Sequence, residues 1–408
     1  MNRERIDKFE IVRYNVLLEI IEKIKEIEQH SPDMKLVWAG NARNVPLINE
    51  ALKDSSLSID YVIDNDPSKW NREAGEIYKS PYFEQIIPAT QRRKVFIYNP
   101  LDVINLKEKQ FYVIASKYKD EIKQQLIELG VPKDCIVSFS GDPKREELKK
   151  QDFVRDKIAL CHPIDLRELQ LTELEILKEF SGFCKSNGLK YYLSSGSLLG
   201  AIRHKGFIPW DDDIDVYMPY EDYNKFMAMY PSDSRYMAAD WNKEEQYFFP
   251  FGKLIDRETV LLHAGYPLQA VMGVYIDIFP LGGYSDKESP KTFWDRNMIL
   301  DECWYDYYIA KDILGDWVPD IRQSIISERY QYSFYDSETV GARHRLPGIK
   351  PWCVKKQIYE ETAAVEFEKE LFDGPAGYDE LLTVRYGDYM KMPPKELQKA
   401  HMFAVYAK

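Results

Sequence analysis

The sequence predicts two folded domains, the first of the α/β class and the second of mixed α+β type. Five short runs rich in β-branched and aromatic residues precede residue 140, and helix-like segments separate several of them. A polar stretch without hydrophobic periodicity follows at residues 140–152. The length of 408 residues also exceeds what one core usually fills, at roughly 150 residues per domain. We therefore assign residues 1–150 and 151–408 to the two domains.

The first domain begins with an amphipathic helix and continues as a small parallel sheet. Apolar residues recur at steps of three and four from Phe9 to Ile27, which predicts a helix within residues 3–30. The strand-like runs are KLVWAG, IDYVID, KVFIY, FYVIAS and CIVSF, with helix-like VPLINEAL and KDEIKQQLIEL among them. Such alternation is typical of a Rossmann-like parallel α/β domain.

The first turn of this domain, WAGNARN, lies where a dinucleotide-binding fold has its glycine-rich phosphate loop. Asp64 ends the second strand, where such folds place a ribose-binding acid. Only Gly40 remains of the three glycines, and Ala42 and Arg43 would bring side chains toward a pyrophosphate. The pattern favours a scaffold or docking domain over a nucleotide site.

The second domain opens with a helix in TELEILKEFSGFCKSNG, where Thr172 and Glu175 form a capping-box pattern and Gly188 marks the end. LKYYL then predicts a strand, SSGSLLGAIRH a turn entering a helix, KGFIPW a loop and DIDVYM the next strand. Residues 290–340 are rich in aromatics, for which packing in a core or interface is favoured over stacking on sugar rings.

Carboxylates are concentrated in IPWDDDIDVYMP, residues 208–219. On a strand, Asp213 and Asp215 share one face while Ile214 and Val216 point to the core. Like charges ~6–7 Å apart on one face repel each other unless a cation lies between them, and a divalent ion with oxygen ligands is the usual solution. Asp213 and Asp215 are therefore predicted metal ligands. Asp211 and Asp212, at the loop-to-strand entry, are instead solvated acids or supporting partners of a ligand.

A third acid repeats this design, because Asp277 lies between apolar residues in VYIDIFPLGG. Three acids on neighbouring strands suit one or two Mg²⁺ or Mn²⁺ ions in phosphoryl transfer. A calcium loop does not fit, since its sixth position is Val216 instead of Gly and its twelfth is Asp222 instead of Glu.

Groups that could meet a phosphate lie upstream and downstream of the acids. Gly196 and Ser197 form a turn at a helix N-terminus, which offers backbone N–H groups. Arg203, His204 and Lys205 follow that helix, and Lys253 lies beside a predicted strand. A phosphate role is favoured for Arg203 and Lys253, whereas Lys205 is equally well explained as a solvated cation.

Composition limits the partners. The net charge of −12 makes a nucleic-acid partner unfavourable, because binding a polyanion needs a basic face. The N-terminus has no apolar core like that of a signal peptide, and no stretch approaches the ~20 apolar residues of a membrane span. Five unpaired-looking cysteines indicate reduced thiols. We expect a cytoplasmic protein, with a peripheral contact at the inner face of the membrane left open.

Four segments together resemble the LicD family of phosphocholine transferases, related to the fukutin-type phosphotransferases. They are YYLSSGSLLGAIRHKGFIPWDDDIDVYMPYEDYNKF, FFPFGKLIDRET, GVYIDIFPLGG and VRYGDYMKMPP, the last followed by His401. The similarity spans residues 165–401 and leaves the first domain uncovered.

The resemblance implies a nucleotidyltransferase-like mixed-sheet domain with helical additions. It assigns Gly196 and Ser197 to the turn, Asp213 and Asp215 to the metal pair, and Asp277 to the third acid and best candidate base. It further implies transfer of a phospho-alcohol, often phosphocholine, from a CDP-linked donor such as CDP-choline to a glycan or lipid-linked glycan such as teichoic acid or lipopolysaccharide. Choline, ethanolamine, glycerol and ribitol phosphates all stay open.

Two other functions stay open as well. Related folds transfer NMP itself to a small acceptor, and a non-catalytic glycan- or nucleotide-binding protein could retain the fold. Three paired carboxylates argue against the second, because a mere binding protein would not need them.

Overall fold

The computed structural model describes residues 16–87, 92–116, 118–139, 149–150, 152–231, 233–244, 247–263, 271–285, 287–342, 353–400 and 404–408. They form two compact units. The first comprises residues 14–143 and 302–322, and the second residues 144–301 and 323–408. From the sequence we assigned all residues after 150 to the second domain. Residues 302–322 instead group with the first unit, which hydrophobic periodicity alone does not predict.

The first unit is built on a five-stranded parallel sheet, as predicted. Its strands are β1 (Lys35–Ala39), β2 (Ile59–Ile63), β3 (Ile97–Tyr98), β4 (Gln110–Ala115) and β5 (Ile136–Phe139). All neighbouring pairs are parallel and the order is β3-β2-β1-β4-β5. Along β1, Leu36 and Trp38 enter one buried cluster while Val37 and Ala39 enter another, so both faces of the sheet are covered.

Helices cover these faces. They are α1 (Val16–His30), α2 (Val45–Ala51), α3 (Ala74–Ile77), α4 (Pro81–Ile86), α5 (Pro100–Ile104) and α6 (Lys119–Glu128). The buried residues of α1 recur at helical spacing from Leu17 to Ile27 and pack in the same cluster as Trp38. Of the helix predicted within residues 3–30, the part before residue 16 lies outside the described residues. The predicted polar stretch at 140–152 also lies largely outside them.

The second unit contains a mixed seven-stranded sheet and two smaller sheets. The remaining strands are β6 (His162–Pro163), β7 (Tyr192–Leu193), β8 (Asp215–Pro219), β9 (Tyr236–Ala239), β10 (Gly252–Asp256), β11 (Thr259–Leu262), β12 (Val271–Met272), β13 (Tyr275–Gly283), β14 (Thr339–Ala342), β15 (Val354–Lys355), β16 (Thr362–Phe367), β17 (Glu370–Pro375) and β18 (Ala404–Ala407). The fully buried β13 pairs parallel with β8 and antiparallel with β10 and β14. β12, β11, β18 and β6 form one smaller sheet, and β16 and β17 form the other.

The remaining helices all follow residue 150. They are α7 (Asp152–Ile158), α8 (Leu166–Ser186), α9 (Ser195–His204), α10 (Tyr220–Met229), α11 (Pro290–Leu314), α12 (Arg322–Arg329) and α13 (Tyr378–Tyr386). None of the helices in the described ranges combines the length and hydrophobicity that a membrane span requires. No disulfide joins the five cysteines, all of which lie in described residues.

Helix α8 begins earlier than predicted. Its capping box is formed by Asp165 and Glu168: the Asp165 side chain accepts from the Glu168 N–H at 2.9 Å, and the Glu168 side chain accepts from the Asp165 N–H at 3.0 Å. Thr172 lies inside the helix, where its hydroxyl donates to the Glu168 carbonyl. The predicted cap at Thr172 was therefore wrong, whereas the predicted helix itself is present and buries Leu174, Leu177, Phe180 and Cys184.

The aromatic side chains within residues 290–340 differ in burial. Trp304, Tyr307 and Tyr308 are buried on α11, whereas Trp317 is exposed. Packing, the favoured interpretation of this region, accounts for the three buried rings.

Candidate active site

Two of the predicted acids lie side by side on neighbouring parallel strands. Asp215, the first residue of β8, is the register partner of Asp277 in β13. Residues paired in register across a sheet share one face, so both carboxylates are on the same side. Each residue is only 8% exposed. The Asp277 N–H also donates to the Ile214 carbonyl at 2.8 Å, which fixes this register immediately before β8.

The third predicted acid, Asp213, lies just before the strand in the segment 211–214. Burial raises the pKa of Asp215 well above its ordinary value, and the negative charges of Asp213 and Asp277 raise it further. A hydrogen bond from Ser195 and the charge of Arg385 oppose this increase. The structure therefore brings Asp213, Asp215 and Asp277 within electrostatic range of one another, although β8 contains only the second of them.

Lys253 lies on the other side of Asp277. The two are register partners in β10 and β13, and the Lys253 ammonium donates to Asp277 Oδ1. Lys253 is 1% exposed, with its Nζ 3.4 Å from the ring centroid of Tyr275 and 4.4 Å from that of Phe249. Burial lowers its pKa more than attraction to Asp277 raises it. The partner that the structure gives this lysine is thus a carboxylate, and its predicted contact with phosphate stays a prediction.

A fourth acid, which the sequence analysis missed, faces this cluster. Glu173 on α8 is 2% exposed, and among the described residues its Oε2 has no hydrogen-bond partner. Burial raises its pKa well above the ordinary value, and the charges of Asp213, Asp212 and Asp211 raise it further. The signal was present in the sequence, because Glu173 falls on the same helical face as Leu169 and Leu177.

The predicted Gly-Ser turn forms the first turn of α9. Ser194 precedes the helix without a side-chain cap, and Ser195 has a φ of +50°, in the left-handed region that non-glycine residues rarely adopt. The Ser197 hydroxyl accepts from the Asp215 N–H at 2.8 Å and so ties the helix start to β8. The helix N-terminus is thereby held beside the acids, where its N–H groups suit an anion.

Gly196 allows close approach of the acidic loop. A Cβ at this position would collide with the Asp211 carboxylate. We expect Gly196→Ala to push the Asp211 side chain aside, to be less stable than Gly182→Ala by about 1 kcal/mol and to reduce catalytic turnover. Urea denaturation and an activity assay measure the two effects. Gly182→Ala on α8 is the matched control, because a Cβ there meets nothing within 4 Å; equal behaviour of the two variants would contradict the packing argument.

The three cationic residues at the end of α9 have different surroundings. Arg203 Nη1 donates to the backbone carbonyl of Tyr389 at 2.8 Å. Burial and the charge of Arg203 lower the pKa of His204. Lys205 is exposed and ends the helix with a φ of +60°. Arg203 thus ties the helix to the segment around Tyr389, and the predicted phosphate roles of the three residues stay predictions.

Arg385 is a further cation that the sequence analysis did not single out. Its Nη1 donates to the Tyr217 hydroxyl at 2.6 Å, and its charge acts on Asp215. Tyr217 is itself buried, so this pair lies inside the domain at β8.

The two loop acids differ from each other in burial. Asp212 is buried and Asp211 half-buried, and the Asp211 carbonyl accepts from Gln170 Nε2 on α8 at 2.9 Å. The description of Asp212 as a solvated acid was therefore wrong; a supporting position next to the cluster fits its burial.

The chemistry of these side chains suits a hard divalent cation, although they are not arranged as a complete metal site. Among the described residues, no group of three or more His, Cys, Asp or Glu side chains is arranged to hold a metal ion. The ammonium of Lys253 instead contacts Asp277. Carboxylate oxygens are the ligands that Mg²⁺ prefers. The Glu173 oxygen without a hydrogen-bond partner and the raised pKa of Asp215 both indicate that the positive charge nearby does not balance these carboxylates. The residues present fit such an ion.

This mixed sheet, with paired acids on adjacent strands and a Gly-Ser helix start beside them, defines a nucleotidyltransferase-type domain. The nucleotidyltransferase domain model of the LicD/FKTN/FKRP family matches residues 188–312. Over 259 residues the chain is 30% identical to the lipopolysaccharide cholinephosphotransferase LicD of Haemophilus influenzae, a match that covers 58% of this chain and 96% of that protein. The chain belongs to the LicD family, which confirms the resemblance seen in its motifs.

A shorter match covers one part of the same domain. Over 60 residues the chain is 42% identical to the ribitol 5-phosphate transferase FKRP of Mus musculus, which covers 15% of this chain and 11% of that protein.

Proposed function

We propose that this protein is a metal-dependent phosphotransferase that moves a phospho-alcohol, phosphocholine foremost, from a CDP-linked donor to a hydroxyl of a cell-surface glycan or its precursor. The observation that carries the proposal is the in-register pairing of Asp215 with Asp277 on one face of the sheet. The near-complete coverage of a lipopolysaccharide cholinephosphotransferase supports the choice of phosphocholine. Ribitol phosphate is the second candidate, supported by the shorter match.

Asp213, Asp215, Asp277 and Glu173 are the residues that would hold Mg²⁺ or Mn²⁺. When bound, such an ion neutralises charge on phosphate oxygens and makes a nearby hydroxyl more acidic. Of the four acids, Asp277 is the one proposed to accept the proton of the glycan hydroxyl, because it would lie beside the ion that makes this hydroxyl more acidic, with its Oδ2 not engaged by Lys253 in the contact described above.

The start of α9 supplies the site for the donor phosphates. The N–H groups of its first turn and the positive end of the helix dipole favour an anion. The hydrogen bond between Ser197 and Asp215 keeps that turn next to the acids. A phosphate bound at this turn would therefore lie close to the acids.

Product analysis by ³¹P NMR tests the proposed reaction with full-length protein. With CDP-choline, Mg²⁺ and a glycan acceptor lacking phosphocholine, we expect CMP and a phosphodiester on the glycan. A parallel reaction with CTP and phosphocholine tests nucleotidyl transfer, because pyrophosphate release there, without CMP from CDP-choline, would support the alternative. Binding of both nucleotides without any product would support a non-catalytic binding protein.

Glu173 provides a test of the cation site. Because Glu173→Gln keeps the shape and removes a ligand charge, we expect Mg²⁺ affinity to fall by about 10- to 100-fold, as for changes close to a metal. The rise in Tm with Mg²⁺ concentration measures this affinity. Glu175→Gln is the matched control, since Glu175 is exposed on the same helix and pairs only with Lys178 among the described contacts. An unchanged Mg²⁺ response in Glu173→Gln would exclude this residue from the site.

A further inference from the structure

The first unit contains a cavity of about 890 Å³ that the transferase reaction does not use. Its lining includes the residues that directly follow β1, β2 and β4, namely Gly40, Asp64 and Ser116. β1 and β4 are neighbours at the point where the strand order changes direction. In open parallel sheets, ligands bind at the carboxyl ends of strands at such a switch point. The cavity thus has the place and the size of a small-molecule site.

We propose that this cavity binds a neutral ring carrying vicinal hydroxyl groups, either the ribose of a nucleoside or a monosaccharide, with the Asp64 carboxylate as the principal acceptor. Three hydrogen bonds fix the position of the Asp64 carboxylate. Its Oδ1 accepts from the Asp66 N–H at 2.8 Å, and its Oδ2 accepts from Lys69 Nζ at 2.9 Å and the Tyr78 hydroxyl at 2.8 Å. A carboxylate has about four acceptor positions, so one stays for a ligand hydroxyl.

The electrostatic environment of Asp64 agrees with this role. Burial raises its pKa, but hydrogen bonds from Lys69, Asp66 and Tyr78 outweigh burial and hold the pKa below the ordinary value. The carboxylate is therefore ionised at neutral pH, and an ionised acceptor forms stronger hydrogen bonds to hydroxyl groups than a neutral one.

Uncharged polar groups supply the rest of the recognition surface. Asn65 and Gln125 donate to each other across the cavity lining, both at 3.0 Å. Each amide has more donor and acceptor capacity than this pair uses. Asn41 and Ser116 also line the cavity. Such amides and hydroxyls suit the alternating donors and acceptors of a polyhydroxylated ring.

Charge argues for a neutral ring instead of a phosphate. The charged residues that line the cavity are Asp64, Glu121 and Lys69, so carboxylates outnumber cations within the described lining. Arg43, the nearest basic residue of the first turn, is paired with Asp306 at 2.7 Å. A phosphate next to the Asp64 and Glu121 carboxylates would be repelled by them, whereas the hydroxyl groups of a ring would donate hydrogen bonds to them.

Saturation-transfer difference NMR on the full-length protein tests the proposal, with EDTA present to suppress cation-dependent binding elsewhere. The probes are adenosine, cytidine, glucose and galactose, each examined alone. We expect ring-proton saturation for at least one probe, and Asp64→Asn should weaken its binding by about tenfold or more through loss of the charged acceptor. Saturation of the nucleoside protons would identify the ring as the ribose of a nucleoside. Saturation of the hexose protons alone would identify it as a monosaccharide.

Two further variants make the test independent of folding. Glu121→Gln changes an exposed helical residue of the lining and should also weaken binding, whereas Asp120→Asn beside it on α6, outside the lining, should not. Thermal unfolding checks that each variant is folded. The proposal is overturned if no probe saturates with wild-type protein, or if Asp64→Asn binds the probe as tightly as wild type does. Because the readout needs no turnover, failure here and failure of the proposed transferase reaction are separate results.

Discussion

Asp215→Asn is expected to reduce phosphocholine transfer by about three orders of magnitude or more, because it removes a charge from the centre of the proposed cation site. The shape of the side chain is nearly constant, so the fold should persist. Without metal, the variant should be at least as stable as the wild type, since it relieves the repulsion among Asp213, Asp215 and Asp277. Initial rates of CMP release and the Tm in EDTA measure the two effects.

Asp211→Asn is the control for this variant. Asp211 is half-buried and lies beside Gly196, in the loop before β8. We expect its effect on the rate to stay within about tenfold, or roughly 1.4 kcal/mol. A near-normal rate in Asp215→Asn would assign that residue a structural role, and equal losses in both variants would place the cation differently along the loop.

Lys253→Met is expected to lower the free energy of unfolding by about 3–5 kcal/mol, because it leaves Asp277 buried without its cationic partner. Turnover should fall as well, since Asp277 would lose the contact that orients it. Urea denaturation in EDTA measures the stability. Lys178→Met is the control, because its pair with Glu175 is exposed to solvent and should contribute little to stability.

The double variant Lys253→Met/Asp277→Asn isolates the coupling between the two residues. Because it removes the unpaired charge along with the lysine, we expect it to recover much of the stability that Lys253→Met loses. Additive losses in the double variant would show that the aromatic contacts of Lys253 with Tyr275 and Phe249, and not the ion pair, account for its contribution.

The paired acids could be predicted because each is flanked by residues that need burial. Ile214 and Val216 next to Asp215, and Ile276 and Ile278 next to Asp277, mark a carboxylate on one face of a buried strand. The alternation of apolar and acidic residues along each strand predicts this position even when the neighbouring strands are not known. The parallel sheet of the first unit was predictable for the same reason, since its runs and connecting helices are contiguous in sequence.

The surroundings of the acids could not be predicted, because they depend on which strands become neighbours. The contact of Lys253 with Asp277 follows from the antiparallel register of β10 and β13, and no local pattern specifies it. The start of α8 was misplaced for a different reason. Both Asp165 and Thr172 precede a Glu by three residues, and only the buried Leu169 upstream of Thr172 favours the earlier start.

The unit boundary is a third feature that sequence periodicity could not supply. Asp306 pairs with Arg43, 263 positions away, and the Tyr82 hydroxyl donates to the Pro319 carbonyl at 2.6 Å. Residues 302–322 thus depend on partners in the N-terminal part of the chain. A fragment beginning near residue 151 would retain this segment without those partners, so tests of catalysis require the full chain.

Crystals of full-length protein with Mn²⁺ and CDP-choline test the central claim most directly, through the anomalous signal of manganese. The account predicts a peak at about 2.0–2.3 Å from carboxylate oxygens of Asp215 and Asp277, with Asp213 or Glu173 and the donor phosphates completing the ligands. The Asp215→Asn protein, treated identically, should lose the peak. A donor bound at the start of α9 with no manganese at these acids would contradict it.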